Sequence, residues 1–336
     1  LSDTPDEFSL IAELFAPLAR GYPGALGLID DAALVAEQPG TEIVVTVDAM
    51  VAGVHFLPTD AADLVARKLV RVNLSDLAAK GARPFAVLLA AAFPHGTGRA
   101  WLEAFAAGLG ADLQEFGIAL IGGDTVATPG PLTLSLTAMG RVEAGNALLR
   151  SGAKAGDELW MSGTLGDGAL GLLAAQGLLT TVDAEAVDYL ADCYRLPRPR
   201  VTLGPSLVGL ANAAMDVSDG LAQDLEHLCR ASGLGAIVET TALPLSPAAR
   251  QAIDADQSQL ARALTGGDDY EILFTVPPGA ADTLHRLAGE SAVPLTLIGR
   301  MVQGSAVTLL DEAGRPIAVG QGGWRHFSTH GSGAGT

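Results

Sequence analysis

The chain has 336 residues, 49% of them apolar and 17% charged, with 41 glycines. That is enough for two buried cores, and it excludes both a small disulfide-stapled scaffold and a disordered polypeptide. Lysine and arginine total 20 against 38 aspartates and glutamates, a formal net charge of −18 that repels polyanions and excludes a nucleic-acid-binding surface.

The mean hydropathy is +0.34. The longest apolar run, residues 85–93, is nonetheless too short to cross a bilayer, so no membrane association is expected. The first residues are polar and acidic, without the basic-then-apolar order of an export signal. Only Cys193 and Cys229 occur, with no CxxC spacing, which argues against a disulfide framework or a zinc site. A cytoplasmic location is the expectation.

In chain order, residues 7–18 place Phe8, Ile11, Leu14, Phe15 and Leu18 at helical spacing. A Gly/Pro loop at 21–27 follows, then strand-like stretches at 32–36 and 43–47. A long helix is expected over 61–80, stopped by Gly81. A buried strand is expected at 85–93, a helix at 100–116, and a short strand at 118–121 running into a Gly122, Gly123, Asp124 turn. Another strand is expected at 132–139. The composition then shifts to Gly, Arg and polar residues over 140–156. The domains are therefore read as 1–147 and 148–327, with 328–336 a disordered tail. The second half is read as a strand at 158–162, helices at 169–176 and 184–193, a proline-rich turn at 197–205, a helix at 221–232, and strands at 236–239 and 270–276. Strands and helices alternate in both halves, so the fold class is α/β, of α+β type. A second Gly-Gly-Asp turn at 266–268 suggests two related halves.

The acidic residues do not all sit on helix surfaces. Asp30, Asp31, Asp48, Asp76, Asp124, Asp216, Asp219, Asp268 and Asp269 fall mostly where strand patterns end, which is where α/β folds build sites. Asp76 continues the inward stripe Val65, Leu69, Val72 of the long helix, with Asn73 one turn earlier, and so implies a polar pocket. The competing reading of any one aspartate is a turn or helix cap, and Asp216 or Asp219 could cap the helix that begins at Leu221. As a set, carboxylates without clustered His or Cys favour Mg2+, which is typically shared with substrate phosphates.

Other phosphate devices are weak here. The three lysines, Lys68, Lys80 and Lys154, do not follow glycine, so there is no P-loop. A GxGxxG at Gly166, Gly168 and Gly171 opens a helix, but no second strand follows in time for a dinucleotide fold. Close helix packing or a phosphate-facing helix start fits it better.

In order and spacing these segments resemble the thiamine-monophosphate kinase family, of the superfamily that includes aminoimidazole ribonucleotide synthetase and selenophosphate synthetase. The resemblance rests on Ile29, Asp30, Asp31, Ala32, Ala33; on Thr46, Val47, Asp48 with Gly53, Val54, His55, Phe56; on Asn73, Leu74, Ser75, Asp76; and on Gly122, Gly123, Asp124, Thr125. It continues through Arg150, Ser151, Gly152; Asp216, Val217, Ser218, Asp219, Gly220; Thr265, Gly266, Gly267, Asp268, Asp269, Tyr270, Glu271; and Gly323, Trp324, Arg325.

The resemblance implies a two-domain architecture of the aminoimidazole ribonucleotide synthetase type. Its N-terminal sheet would contribute to the barrel of a homodimer, with the strand at 85–93 a candidate contact, and a C-terminal α/β domain would complete the site. It also implies ATP-dependent phosphorylation of thiamine monophosphate to thiamine diphosphate. Several Mg2+ ions would be held by Asp30, Thr46, Val47, Asp48, Asp76, Asp124, Asp216 and Asp219. ATP would be contacted by Gly123, Asp124, Arg150 and Ser218, with Asp124 and Arg150 catalytic, and the thiamine substrate by His55, Asp268 and Trp324. Asp268 stands where the family usually has Glu, and Val47 where a second Thr is common, so Val47 could serve only through its backbone carbonyl. The expected chemistry is direct in-line transfer with no phosphoenzyme. The alternatives are another ATP-dependent synthetase of the superfamily, or a catalytically silent nucleotide-binding regulator.

Overall fold

The computed structural model describes residues 7–317, with side chains from residue 9 onward. Trp324 and the expected tail at 328–336 lie outside the described residues.

The first helical pattern does not form one helix. A short α1 (Glu7–Leu10) passes into a π-turn (Ile11–Phe15) and a 3-10 turn (Ala16–Ala19). Pro17 stands at the start of that last turn, where its missing N–H rules out a continuous α-helical ladder. The expected strand at 32–36 is also absent. Leu34 donates one backbone bond to the Gly24 carbonyl, and the segment is otherwise irregular and largely exposed.

The N-terminal half then runs β1 (Thr41–Val51), α2 (Ala62–Ala79), β2 (Arg83–Pro94), α3 (Arg99–Phe116), β3 (Ala119–Thr128) and β4 (Thr133–Glu143). The sheet order is β1-β4-β2-β3. Only β2 and β3 are parallel, joined by α3 in the crossover that parallel strands require. One face of this sheet is covered by α2 and α3, whose Leu69, Leu77, Phe105 and Leu109 form the core with Leu134 and Leu136 of β4.

The other face is covered at one end, where the segment before β1 lays Ala19 and Ala25 against Ala86, Ile121 and Met139, and is bare along β1 and around Asp124 and Val126 of β3. Along β1, Ile43, Val45 and Val47 point outward, while Thr46 and Asp48 alternate onto the α2 side. The register aligns Ala49, Ser135, Ala90 and Asp124 across the four strands, so Asp124 shares the bare face. The exposed large apolar side chains of this sheet are on β1 and on β3, at Val126, with the small Ala90 of β2 exposed between them. The 85–93 segment expected as a contact lies in β2, an interior strand paired on both sides.

Gly122, Gly123 and Asp124 form the middle of β3 and not a turn. A Cβ at Gly123 would stand 1.9 Å from the Leu89 carbonyl oxygen, so a glycine is needed for β3 to lie against β2 here. The Gly266–Asp268 segment is a loop, so the two Gly-Gly-Asp segments are not structural equivalents.

The C-terminal half contains β5 (Glu158–Ser162), α4 (Asp167–Ala175), α5 (Ala184–Arg195), β6 (Ala213–Val217), α6 (Leu221–Ser232), β7 (Gly235–Glu239), α7 (Pro247–Ala255), α8 (Ser258–Thr265), β8 (Glu271–Val276), α9 (Ala281–Ser291), β9 (Leu295–Val302), β10 (Val307–Leu310) and β11 (Pro316–Ile317). Its seven-stranded sheet has the order β11-β10-β7-β9-β5-β8-β6, antiparallel except where β10 meets β7. Both sheets are thus mainly antiparallel, with helices alongside, the α+β form of the expected class.

The halves meet along α2, which is buried nearly all round. Lys68, Arg71 and Ser75 lie on one stripe of it and bond to Asp268, the Pro197 carbonyl and Asp216 respectively. Just past the helix, Lys80 Nζ donates to the Ala214 carbonyl at 3.0 Å.

Candidate active site

A cavity of about 1230 Å3 opens beside α2, between the end of β1, the starts of α4 and α6, α8 and the loop before β8. The first half supplies Asp48 and Asp76 to its wall, and the second supplies Asp216 and Asp219, with Asp268 besides.

The first pair is built by β1 lying across α2. Alternation along the strand turns Thr46 and Asp48 toward the helix, and Thr46 Oγ1 donates to Asp76 Oδ2 at 2.5 Å. The Asp48 N–H is held by Asn73 Oδ1 at 3.1 Å, and the fully buried Asn73 in turn donates to the Leu69 carbonyl. The polar pocket implied by Asn73 and Asp76 is therefore present.

The second pair sits where β6 breaks into α6. Asp216 ends buried against Ser75, whose hydroxyl donates to it at 2.8 Å. Neither Asp216 nor Asp219 caps the helix. Asp224, buried in its first turn, reaches back and accepts from the N–H groups of Ser218, Asp219 and Gly220 at 3.0, 3.0 and 3.1 Å. That frees both carboxylates for the cavity. Asp224 was not read as a site residue, because an acidic residue in a first helical turn is commonplace.

The carboxylates repel. Burial, then Asp76 and Asp219, pushes Asp48 up to about 6. Burial, then Asp76, pushes Asp216 up to about 8 despite the Ser75 bond. Lys80 is pulled down to about 8 by burial and then by the charge of Arg150, while Asp216 and Asp76 act to raise it. Hard oxygen donors that face one another in this way suit a hard divalent cation, so the set fits Mg2+. Among the described residues, no three His, Cys, Asp or Glu side chains form a ready metal cage. The donors line a large cavity instead, which suits ions shared with phosphate oxygens.

His55, also in the cavity wall, follows β1 and accepts from the Val51 N–H through Nδ1 at 3.0 Å. Asp268 projects from the loop before β8 and accepts from the Tyr270 hydroxyl at 3.1 Å. Ser218 also lines the wall, and its carbonyl accepts from the Asp268 N–H at 3.0 Å.

The remaining candidates lie elsewhere within the chain. Asp30 is in an exposed bend, where its carboxylate accepts from the Asp31 N–H. Val47 points to the bare sheet face, 60% exposed. Gly123 and Asp124 are in β3, across the sheet from Asp48. Arg150 is exposed beyond β4, with its carbonyl held by Ser232 and its charge felt at Lys80. Trp324 lies outside the described residues.

The GxGxxG segment has its own occupant. Asp269 accepts from the Gly166 and Gly168 N–H groups at 2.8 and 2.9 Å, which takes the helix start away from any phosphate. Gly171 serves close packing, since a Cβ there would stand 2.1 Å from the Leu190 carbonyl oxygen.

The sequence matches the family of the AIR synthase related protein, N-terminal domain, over residues 29–142, and that of the C-terminal domain over residues 154–312. It is 46% identical over 325 residues to the thiamine-monophosphate kinase of Caulobacter vibrioides, covering 96% of this chain and 91% of that one. The fold is similar to the crystal structure of thiamine-monophosphate kinase from Stenotrophomonas maltophilia K279a, with TM-score 0.82 and 43% identity over 90% of this chain and 96% of that one. A structure of AaThiL complexed with AMPPCP and TMP gives TM-score 0.75 and 27% identity, over 96% and 94% of the two chains.

Proposed function

This chain belongs to the thiamine-monophosphate kinase family and catalyses the ATP-dependent phosphorylation of thiamine monophosphate to thiamine diphosphate; we propose that transfer is direct and Mg2+-assisted, in the cavity between its two halves. The observation that carries this reading is the convergence of Asp48 and Asp76 with Asp216 and Asp219 around a cavity that His55 and Asp268 also line.

Asp48, Asp76, Asp216 and Asp219 would hold the ions, with Thr46 orienting Asp76 and Ser75 orienting Asp216. Bound there, Mg2+ supplies the positive charge that screens one phosphate from another. Asp224 keeps the loop of Ser218 and Asp219 in place. Lys80 adds positive charge beside Asp216, and Arg150, exposed and close enough to Lys80 for its charge to be felt there, is our candidate for contact with a phosphate. His55 and Asp268 face the thiamine end. A phosphate monoester is already largely ionised near neutrality, so its oxygen attacks the γ-phosphorus with no protein base. The β–γ bridging bond breaks as the new one forms, and ADP leaves.

We assign Asp30, Gly123 and Asp124 to the same nucleotide site, completed in a homodimer. The bare sheet face carries Ile43, Val45, Val47 and Val126 in addition to Asp124, and a second copy covering it buries that apolar surface. No helix among the described residues is long and apolar enough to cross a membrane. The requirement for ATP supports a cytoplasmic reaction.

The test is incubation of the purified protein with ATP, MgCl2 and thiamine monophosphate, read as thiamine diphosphate. Turnover must appear and must vanish with EDTA. EDTA-resistant turnover, or a covalent phosphoprotein trapped on the pathway, overturns the Mg2+-assisted direct transfer.

A further inference from the structure

Lys68 projects from α2 into the cavity wall with 3% of its side chain exposed. Its Nζ donates to Asp268 Oδ2 at 3.0 Å and to the His55 carbonyl at 3.2 Å, and stands 3.7 Å from the centre of the Tyr194 ring. An ammonium has three donors, and here each faces a partner: a carboxylate, a carbonyl and an aromatic face. The three partners come from different places, the turn after β1, helix α5 and the loop before β8. Tyr194 adds a long contact of 3.5 Å from its hydroxyl to the same His55 carbonyl.

The loop that Lys68 holds is strained. Asp268 and Tyr270 have φ of 71° and 53°, each a left-handed conformation of a non-glycine residue. Such backbone persists only when its surroundings impose it, and the restraints here are the Lys68 ion pair, the Tyr270 hydroxyl and the Ser218 carbonyl. A buried ion pair is also a poor way to stabilise a fold, since an apolar side chain of the same volume is often as stabilising or more so. Lys68 neighbours Val65, Leu69 and Val72, where a methionine would pack well. A buried lysine in that setting points to a geometric task at the site.

We propose that Lys68 is a positioning residue for the thiamine-phosphate end of the site: one ammonium sets the spacing of His55 and Asp268, which come from opposite halves of the chain. The proposal rests on the reading of these two residues as the substrate end of the cavity. It also accounts for an aspartate at 268, whose short side chain reaches Lys68 and Tyr270 at once and acts on the substrate from a fixed position.

The test is steady-state kinetics of Lys68→Met, Lys68→Arg, Asp268→Asn and the Lys68→Met/Asp268→Asn pair, with wild-type turnover measured in the same assay. Absent wild-type turnover overturns the kinase reading itself, separately from the role of Lys68. Lys68→Met is expected to raise KM for thiamine monophosphate about tenfold with KM for ATP within about twofold, and Lys68→Arg to recover most of the loss. The pair should be no worse than the poorer single variant. Equal rises in both KM values, no recovery by arginine, or additive losses in the pair overturn the proposal. Asp268→Asn leaves the ammonium an acceptor and so guards against a folding failure of Lys68→Met; it must show the same selective rise, and a rise in KM for ATP from it also overturns the proposal.

Discussion

Ser75 Oγ of α2 donates to Asp216 Oδ2 of β6 at 2.8 Å, so a serine of one half orients a buried carboxylate of the other. The bond favours the charged form of Asp216 against burial and the nearby Asp76. Ser75→Ala removes it and leaves the carboxylate without that donor. The expected outcome is a rise of about tenfold, ~1.4 kcal/mol, in the Mg2+ concentration for half-maximal turnover. KM for thiamine monophosphate should be unchanged. A Mg2+ titration of the variant checks this, and an unaltered midpoint removes Ser75 from the site.

The second prediction concerns the ion cluster between α2 and α3. Asp112 is fully buried and accepts from Arg71 Nε at 2.7 Å and Nη2 at 3.0 Å, and from Arg67 Nε at 2.7 Å. Arg71 also donates to the Pro197 carbonyl, which ties the two halves together. Arg71→Met should destabilise by about 3 kcal/mol, because it strips a buried carboxylate of its bidentate partner. Arg67 is 25% exposed, and Arg67→Met should cost clearly less. Urea unfolding of both variants reads the order directly.

These elements differ in how far the sequence reveals them. Helix α2 was legible in full, from its periodicity, its lack of internal Gly or Pro, and Gly81 beyond its end. Strand β6 was not, because Ala213, Ala214, Met215, Asp216 and Val217 are buried on both faces and show no alternation. The glycines at 122 and 123 read as a turn because their tertiary reasons, the Leu88 side chain beside Gly122 and the Leu89 carbonyl beside Gly123, lie in the neighbouring strand β2. In the site, the inward phase of Asp76, and of Asn73 one turn earlier, followed from helical geometry alone. Lys68 and Asp224 did not stand out, since the partners that give them meaning are set by the meeting of the halves and by a loop folding back on its helix.

The third prediction is a pH dependence. Asp167 is buried at the start of α4, where it accepts from Ser246 at 2.5 Å, Thr164 at 2.6 Å and Tyr189 at 3.1 Å. Burial outweighs these bonds and raises its pKa above the ordinary 3.8. The folded state therefore holds this proton at a pH where the unfolded state has released it, and stability from this group falls as pH rises above 3.8. Asp167→Asn removes the titration. Thermal midpoints across pH 4 to 7, taken at about half-unit steps, should fall more steeply for the wild type than for the variant. Parallel curves count against a proton on Asp167.

The last prediction asks how Asp124 reaches the carboxylate cluster. Within one chain it cannot do so without dismantling β3, because β1 and β3 are opposite edges of the four-stranded sheet and the register puts Asp124 on the face away from Asp48. That face is also where Val45 and Val47 stand 58% and 60% exposed, an apolar surface that a second copy would cover. If the homodimer completes the site, Val45→Glu should leave the fold intact, since the side chain has no core packing to lose. It should also convert a dimer to a monomer in light scattering and remove turnover along with it. Asp124→Asn should remove turnover while leaving the dimer whole, and mixing the two inactive variants should not restore turnover, because Val45→Glu copies do not pair. A Val45→Glu protein that is monomeric and fully active would show that the site is complete within one chain, and Asp124 would then have no part in it.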